Sequence, residues 1–228
     1  ARRVAAPGAA MEATAYDAWY DTPRGRWIGG AACRLLLAQL KPRPGDRVLD
    51  VGCGTGWFTR RLAAEPGLQV TGIDPNGDWL AFASRRDARS VYLRADARAL
   101  PFADRSFDGV VSVTALCFVR EWGLALQEML RVTGGRFAIG VLNRESLLWR
   151  AKGQRGGSGA YRGAHWHTRH ELLVELAGLS VRDVRLRSAI VFPSGSVFAR
   201  AADRMMPSGL PWGGLTVASG RVSARPGS

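Results

Sequence analysis

The stretch Val48–Phe58 reads VLDVGCGTGWF and sets three glycines, Gly52, Gly54 and Gly56, at alternate positions. Such a turn takes backbone angles closed to other residues and lets a ligand come close to the main chain. Carboxylates stand around it. Asp50, just ahead of Gly52, is placed to orient the turn through backbone N–H groups or to stay near a ligand's charged end. Asp74 closes a second apolar run, LQVTGI, where a carboxylate accepts from both hydroxyls of a ribose. Asp96, in RADARALPF, is placed to accept from an adenine amino group while Ala97 offers its backbone N–H. Farther on, the chain's 3 histidines, His165, His167 and His170, all fall in AHWHTRHEL.

Positioning these groups takes a parallel sheet. Strand and helix alternate through 46–142, with strands over 46–51, 68–73, 91–94, 107–113 and 136–142. That order predicts right-handed crossovers and a ligand site at the carboxyl edge. The glycine spacing is G-x-G-x-G, neither the dinucleotide fingerprint nor a P-loop. Thr55 is expected to cap the helix over 57–64. Pro75 and Asn76 form the turn into the next helix. Thr114, Cys117 and Phe118 are expected to face the space beside the glycine turn. Ahead of the first strand, Tyr16, Trp19, Tyr20 and Trp27 precede a leucine-rich helix that stops before Pro42. This segment is either packed on the core or laid over the glycine turn, and the two readings are compatible.

Five regions follow: a tail (1–11), a helical cap (12–45), a cofactor-binding core (46–142), a C-terminal part of the same domain with acceptor-side loops (143–222) and a second tail (223–228). In the third quarter, 152–163 is glycine-rich and expected to be a mobile entry gate. Thr168 and Glu171 predict a capping box. Strands are expected at 181–186 and 215–218, with mixed loop and helix over 192–206.

The chain has 228 residues, 46% of them hydrophobic, enough for one α/β domain with a sizeable core. Its formal net charge is +13, and only Lys41 and Lys152 are lysines. The arginine excess falls mainly beyond residue 143 and contains no dense basic run, which argues against a nucleic-acid surface. Three dispersed cysteines form neither a disulfide framework nor a zinc pattern, and a cytoplasmic setting is expected. No apolar run approaches a membrane span, although peripheral membrane contact stays open.

VLDVGCGTG, GIDPN, RADARALPF and FDGVVSVTAL together closely resemble the class I S-adenosylmethionine-dependent methyltransferases, most of all those that methylate small molecules, quinone precursors and lipid headgroups. The match is close over 46–142 and weaker beyond. The resemblance implies a doubly wound α/β, Rossmann-like fold: a mostly parallel seven-stranded sheet with the last strand antiparallel and helices on both faces. It implies S-adenosyl-L-methionine as cofactor and S-adenosyl-L-homocysteine as product. Gly52, Gly54 and Gly56, with Cys53 inside the turn, would wrap the methionine part and the sugar. Asp50 would reach the methionine amine, Asp74 the ribose, and Pro75–Asn76 would flank the adenine. Asp96 and Ala97 would bind the adenine edge, and Thr114 would sit near the methionine carboxylate. Tyr16, Tyr20 and Trp27 match in type an aromatic segment placed over the cofactor.

Methyl transfer needs a base only where the nucleophile carries a proton that must leave. His165 and His167 are the candidates, since they precede the helix cap and can face the cleft from a loop. His170 lies inside the helix. No metal is expected, because the histidine spacing lacks a carboxylate or cysteine partner of known pattern. SVTA ends the fourth strand where amino methylation of bases needs Asn/Asp-Pro-Pro-Tyr. The expected acceptor is therefore small or lipid-like, bearing an O, N or C nucleophile, and Arg144, Arg150, Arg155 and Arg162 suit an anionic one. A non-catalytic cofactor-binding partner protein and an RNA methyltransferase stay open as alternatives. The chain is expected to be a monomer or a homodimer.

Overall fold

The computed structural model describes residues 12–223. The expected tails therefore lie outside the described residues, apart from Ser223. A seven-stranded sheet is built from β1 (Arg47–Val51), β2 (Gln69–Asp74), β3 (Val91–Arg94), β4 (Phe107–Val113), β5 (Thr133–Leu142), β6 (Val181–Ala189) and β7 (Leu215–Val222), in the order β3-β2-β1-β4-β5-β7-β6. The first five strands pair in parallel, and β7 runs antiparallel between β5 and β6. Apolar residues at successive positions of β1, β4 and β5 suit strands covered on both faces.

The helices are α1 (Ala13–Trp19), α2 (Pro23–Leu40), α3 (Trp57–Leu62), α4 (Gly77–Arg86), α5 (Trp122–Val132), α6 (Leu147–Lys152), α7 (Arg169–Ala177) and α8 (Val197–Met205). On one face Leu36 and Leu40 of α2 pack with Val48, Val111, Ala138 and Val217. On the other, Leu126 and Met129 of α5 pack with Leu49, Val110, Phe137 and Ile139. The stops and starts have local causes. The Thr22 hydroxyl accepts the Gly25 N–H at 3.0 Å with Pro23 opening α2, and that helix ends at Lys41, whose φ is +50°. Thr168 and Glu171 form the expected capping box of α7.

The C-terminal strands run farther than sequence suggests, since β7 extends to Val222 by pairing with β5 and β6 on its two sides. The 152–163 segment contains two short 3₁₀ turns, Gln154–Gly156 and Gly159–Tyr161. Tyr161 anchors it, with its ring 5.5 Å from that of Trp166.

How α1 docks was not legible in the sequence. Asp17 is 3% exposed, and its carboxylate joins three other segments. Oδ1 accepts the Thr55 hydroxyl at 2.9 Å and Arg60 Nη2 at 2.8 Å, while Oδ2 accepts Arg86 Nη1 at 3.1 Å. One buried charge thus ties α1 to the glycine turn, α3 and α4. Asp17→Ala leaves Arg60 without its partner and is expected to cost about 3 kcal/mol, the low end for breaking a buried pair because half-exposed Arg86 is screened. Urea denaturation measures this; a loss below about 0.5 kcal/mol, the level of ordinary surface substitutions, contradicts the clamp.

Candidate active site

β1 delivers the chain into the glycine turn at the carboxyl edge of the sheet. Gly52 has φ +75°, and a Cβ there would run into Ala115. Gly56 has φ +76°, and a Cβ there would press on Tyr92 and Ala83. Both positions therefore demand glycine. The turn's N–H groups are largely spent internally. Those of Gly52 and Cys53 donate to the Ile73 carbonyl at 2.8 and 2.9 Å, and that of Gly56 to the Cys53 carbonyl at 2.9 Å. The Gly54 N–H donates to Asp74 Oδ2 at 2.9 Å. The turn is thus rigid before any ligand arrives.

Beneath it lie two carboxylates. Asp50 is 2% exposed and accepts only the Thr59 hydroxyl, at 2.7 Å, among the side-chain bonds of the described residues. Its role is therefore not to orient the turn's N–H groups; it holds α3 instead. Burial pushes its carboxyl up to about 6, against the Thr59 hydrogen bond, and the charge of Asp74 adds to the rise. Asp74 also accepts the Asn76 N–H at Oδ1, 2.8 Å away. Burial raises its pKa too, opposed by its two backbone N–H donors. Each oxygen of Asp74 has a lone pair left for a hydroxyl.

Several sequence expectations change. Thr55 does not cap α3, whose N-cap is Gly56 with no side-chain bond, because its hydroxyl is given to Asp17. Cys53 turns its buried side chain toward Gly72 of β2, so it offers a ligand no thiol. Cys117 is 1% exposed, with its Sγ accepting the Leu142 N–H at 3.2 Å, and Phe118 packs on the same core, so neither opens on the glycine turn. Thr114 does end β4 in a left-handed conformation, φ +59°. Asp96 is exposed, but Arg98 grips both its oxygens and also reaches Glu121, which competes with any adenine amino group. Beside it Ala97 is half-buried against the core. The Asn76 side chain caps α4, accepting from Asp78 and Trp79, and the Pro75 carbonyl accepts from Arg94.

Tyr16 and Tyr20 pack edge-to-face with ring centroids 5.9 Å apart. Tyr16 packs on Trp79 with ring centroids 4.8 Å apart, and Trp79 lies against Gly54. Burial pushes the Tyr16 phenol up, and the nearby Asp74 charge contributes. Tyr20 stacks on Trp57 at 4.2 Å. Trp27 departs from the expectation: its contacts are with the α2-side core and with Gly195, not with these rings. Trp79 is a residue that sequence reading left as helix packing. Its position one turn beyond the acid of β2 was the available signal.

The histidine loop runs along the ends of β4 and β5. His165 N–H donates to the Cys117 carbonyl at 2.7 Å and His167 N–H to the Leu142 carbonyl at 2.9 Å. Their rings lie 4.4 Å apart. His165 has a half-exposed side chain, whereas His167 is 1% exposed. Burial, with His165 adding, lowers the His167 imidazole to about 4, so it is neutral near pH 7. His167 is thus walled off from an acceptor, contrary to its expected place on the cleft. His165 lines an open cleft of about 260 Å³ with Arg144, Trp149, Arg155 and Trp166. A larger cleft, about 490 Å³, lies among Glu145, Arg150, Arg169, His170 and Trp212, away from the glycine turn and the loop pair. Asn143, buried at the end of β5, fastens the strand to the Gly213 carbonyl and was not singled out as structural.

Residues 49–139, from β1 to β5, match the family described as Methyltransferase domain. The chain belongs to the class I S-adenosylmethionine-dependent methyltransferases. The methyltransferase is 36% identical over 203 residues to an uncharacterized protein of Mycobacterium tuberculosis, covering 85% of this chain and 67% of that one. It is 43% identical over 114 residues to a malonyl-[acyl-carrier protein] O-methyltransferase of Erwinia pyrifoliae, covering 49% of this chain and 43% of the relative. A solved S-adenosylmethionine-dependent methyltransferase from Thermotoga maritima has the same fold, with a TM-score of 0.72, 23% identity, and coverage of 91% of this chain and 95% of that one. The methyltransferase uses S-adenosyl-L-methionine. Its site fits a cation-bearing ligand with a ribose: two desolvated carboxylates lie under a turn that only glycines can make.

Asp50 gives a signed pH test. Its folded pKa of about 6 exceeds the ordinary carboxyl value of 3.8, so its contribution to stability is fully present below that value and lost as pH rises through about 6. Asp50→Asn keeps an acceptor for Thr59 and has no charge to bury. The variant is expected to gain stability relative to the parent as pH rises from about 4 to about 6, the interval between the two pKa values, measured by urea denaturation. A constant difference across that interval contradicts the assignment.

Proposed function

We infer that this chain transfers a methyl group from S-adenosyl-L-methionine to an O, N or C nucleophile of a small or lipid-like, anionic acceptor. The observation that carries the acceptor class is the cleft beside His165, where two arginines and two tryptophans converge next to the ends of β4 and β5. Arg144 lies over the Trp149 ring at 5.9 Å, an apolar wall with a fixed positive rim. A lipid-like acceptor is further supported by α8, which exposes Val197, Phe198 and Met205 beside Arg204. The malonyl relative also acts on a carrier-borne acid by its name.

In this reading Asp74 holds the ribose hydroxyls. Gly52, Gly54 and Gly56 leave room for the methionine part, Asp50 supplies negative charge beneath it, and Tyr16 with Trp79 covers the turn. Asp96 and Ala97 take the adenine edge once Arg98 yields, and Thr114 flanks the methionine carboxylate. The cofactor supplies an activated methyl on a sulfonium, so what the protein must do is align the nucleophile and exclude water. His165 is the residue on the cleft able to take a proton from the acceptor, with buried His167 positioning it. The division into a cap at 12–45, a cofactor core at 46–142 and an acceptor side at 143–222 belongs to the same reading, as does a cytoplasmic setting. Among the described residues no helix is long and apolar enough to cross a membrane.

Asp74→Ala is expected to weaken S-adenosylmethionine binding by about 1.5–3 kcal/mol, the scale of hydrogen bonds to a charged group. Calorimetry that returns an unchanged dissociation constant contradicts its role. For the acceptor, methyl transfer from labelled cofactor to small apolar acids, phenols and lipid headgroups is the assay. Arg144→Ala should raise KM for an anionic acceptor about tenfold or more, the scale of one lost charged contact, and leave cofactor affinity unchanged. Turnover confined to uncharged acceptors overturns the anionic assignment.

A further inference from the structure

We propose that His165, His167 and Glu171 bind a divalent transition-metal ion of the zinc class at the edge of the cleft. His167 is 1% exposed, yet neither Nδ1 nor Nε2 has a hydrogen-bond partner among the described residues. A polar ring buried with both nitrogens unpaired is costly, and a metal ion satisfies one of them. Sequence reading put His170 inside the helix, apart from the pair, and took Glu171 only as a helix cap. The fold sends His170 to the other cleft and brings Glu171 to His165 and His167 instead.

The geometry suits a metal. One ligand atom from each of the three residues lies within 4.8 Å of the other two, and His165 Nε2 is 3.7 Å from Glu171 Oε2. A tetrahedral zinc-class ion, with bonds of about 2.0–2.2 Å, needs such atoms roughly 3.4 Å apart. Half-exposed His165 is free to close that gap. The other two ligands are held in advance: His167 by its backbone bond to Leu142, and Glu171 by the Thr168 N–H that Oε2 accepts at 2.8 Å. Oε1 and the remaining lone pairs of that carboxylate stay available. Two imidazoles and one carboxylate are the donor set of zinc sites that keep an open position. His165 faces the cleft, so the open position would meet an anionic oxygen there. Binding of the ion would take the one free lone pair of His165, so the ion-bound form lacks that base; binding itself does not depend on the methyl-transfer reading, and its test uses neither cofactor nor acceptor.

The test titrates the chelator-treated protein with Zn²⁺ by calorimetry, and with Co²⁺ by visible absorption to report coordination. One ion per chain is expected. His165→Ala and Glu171→Gln should each weaken binding at least tenfold, while His170→Ala leaves it unchanged. Glu171→Gln retains an oxygen for the Thr168 N–H, so the helix cap survives, and His165→Ala alters an exposed residue; both variants should fold. Zn²⁺ should raise the melting temperature of the parent and not of these two variants. Absence of binding overturns the proposal. So does affinity that survives Glu171→Gln, or that is lost in His170→Ala, since either result marks a surface chelate.

Discussion

The structure depends on placing two carboxylates, buried Asp50 and partly buried Asp74, at a turn that only glycine can make. Charge in such a place is unfavourable, and both pKa values are displaced upward, Asp50 to about 6. The remedy supplied by the chain is partial: one hydroxyl for Asp50, two N–H groups for Asp74. No arginine or lysine bonds either carboxylate among the described residues. In the proposed reading, a cationic ligand with ribose hydroxyls completes this arrangement. In that reading, cofactor binding and the upward displacement of both pKa values come from one electrostatic arrangement.

A second charge shows the contrast. Asp17 is as buried as Asp50 but fully paired, by Thr55, Arg60 and Arg86. It fastens the N-terminal helix over the site and spends its charge on structure. Asp50 and Asp74 have no such cation among the described residues, and in the proposed reading their charge serves a ligand. The same chain therefore uses buried carboxylates for two ends, told apart by whether an arginine stands within reach. Arg98 makes a third case, holding exposed Asp96 in a fork that a ligand would have to open.

Much of this was legible in the sequence because it is local. The apolar run before Gly52, the acid at the end of β2 and the Thr168–Glu171 cap each follow from neighbouring residues, and the parallel order of β1–β5 follows from strand–helix alternation. The antiparallel place of β7 came from family resemblance, not from periodicity. What could not be read was long-range. Asp17 was not singled out among the aromatics of its segment, and its partners stand far along the chain. His167 and Cys117 looked available and are buried, because the histidine loop adds to the ends of β4 and β5 through backbone bonds that leave no trace in residue type. Trp27, matched by type to a cofactor cover, belongs to the core on the α2 side.

The most direct test of this account is proton release on cofactor binding. S-adenosylmethionine would be titrated into the protein by calorimetry near pH 6 in buffers of different ionisation enthalpy. A cation placed beside Asp50 and Asp74 favours their charged forms, so binding should release protons and strengthen as pH rises through about 6. Net release, reduced in Asp50→Asn, is the predicted result. Binding with no proton exchanged, or binding that weakens as pH rises through that interval, would contradict the claim that these carboxylates take a cation.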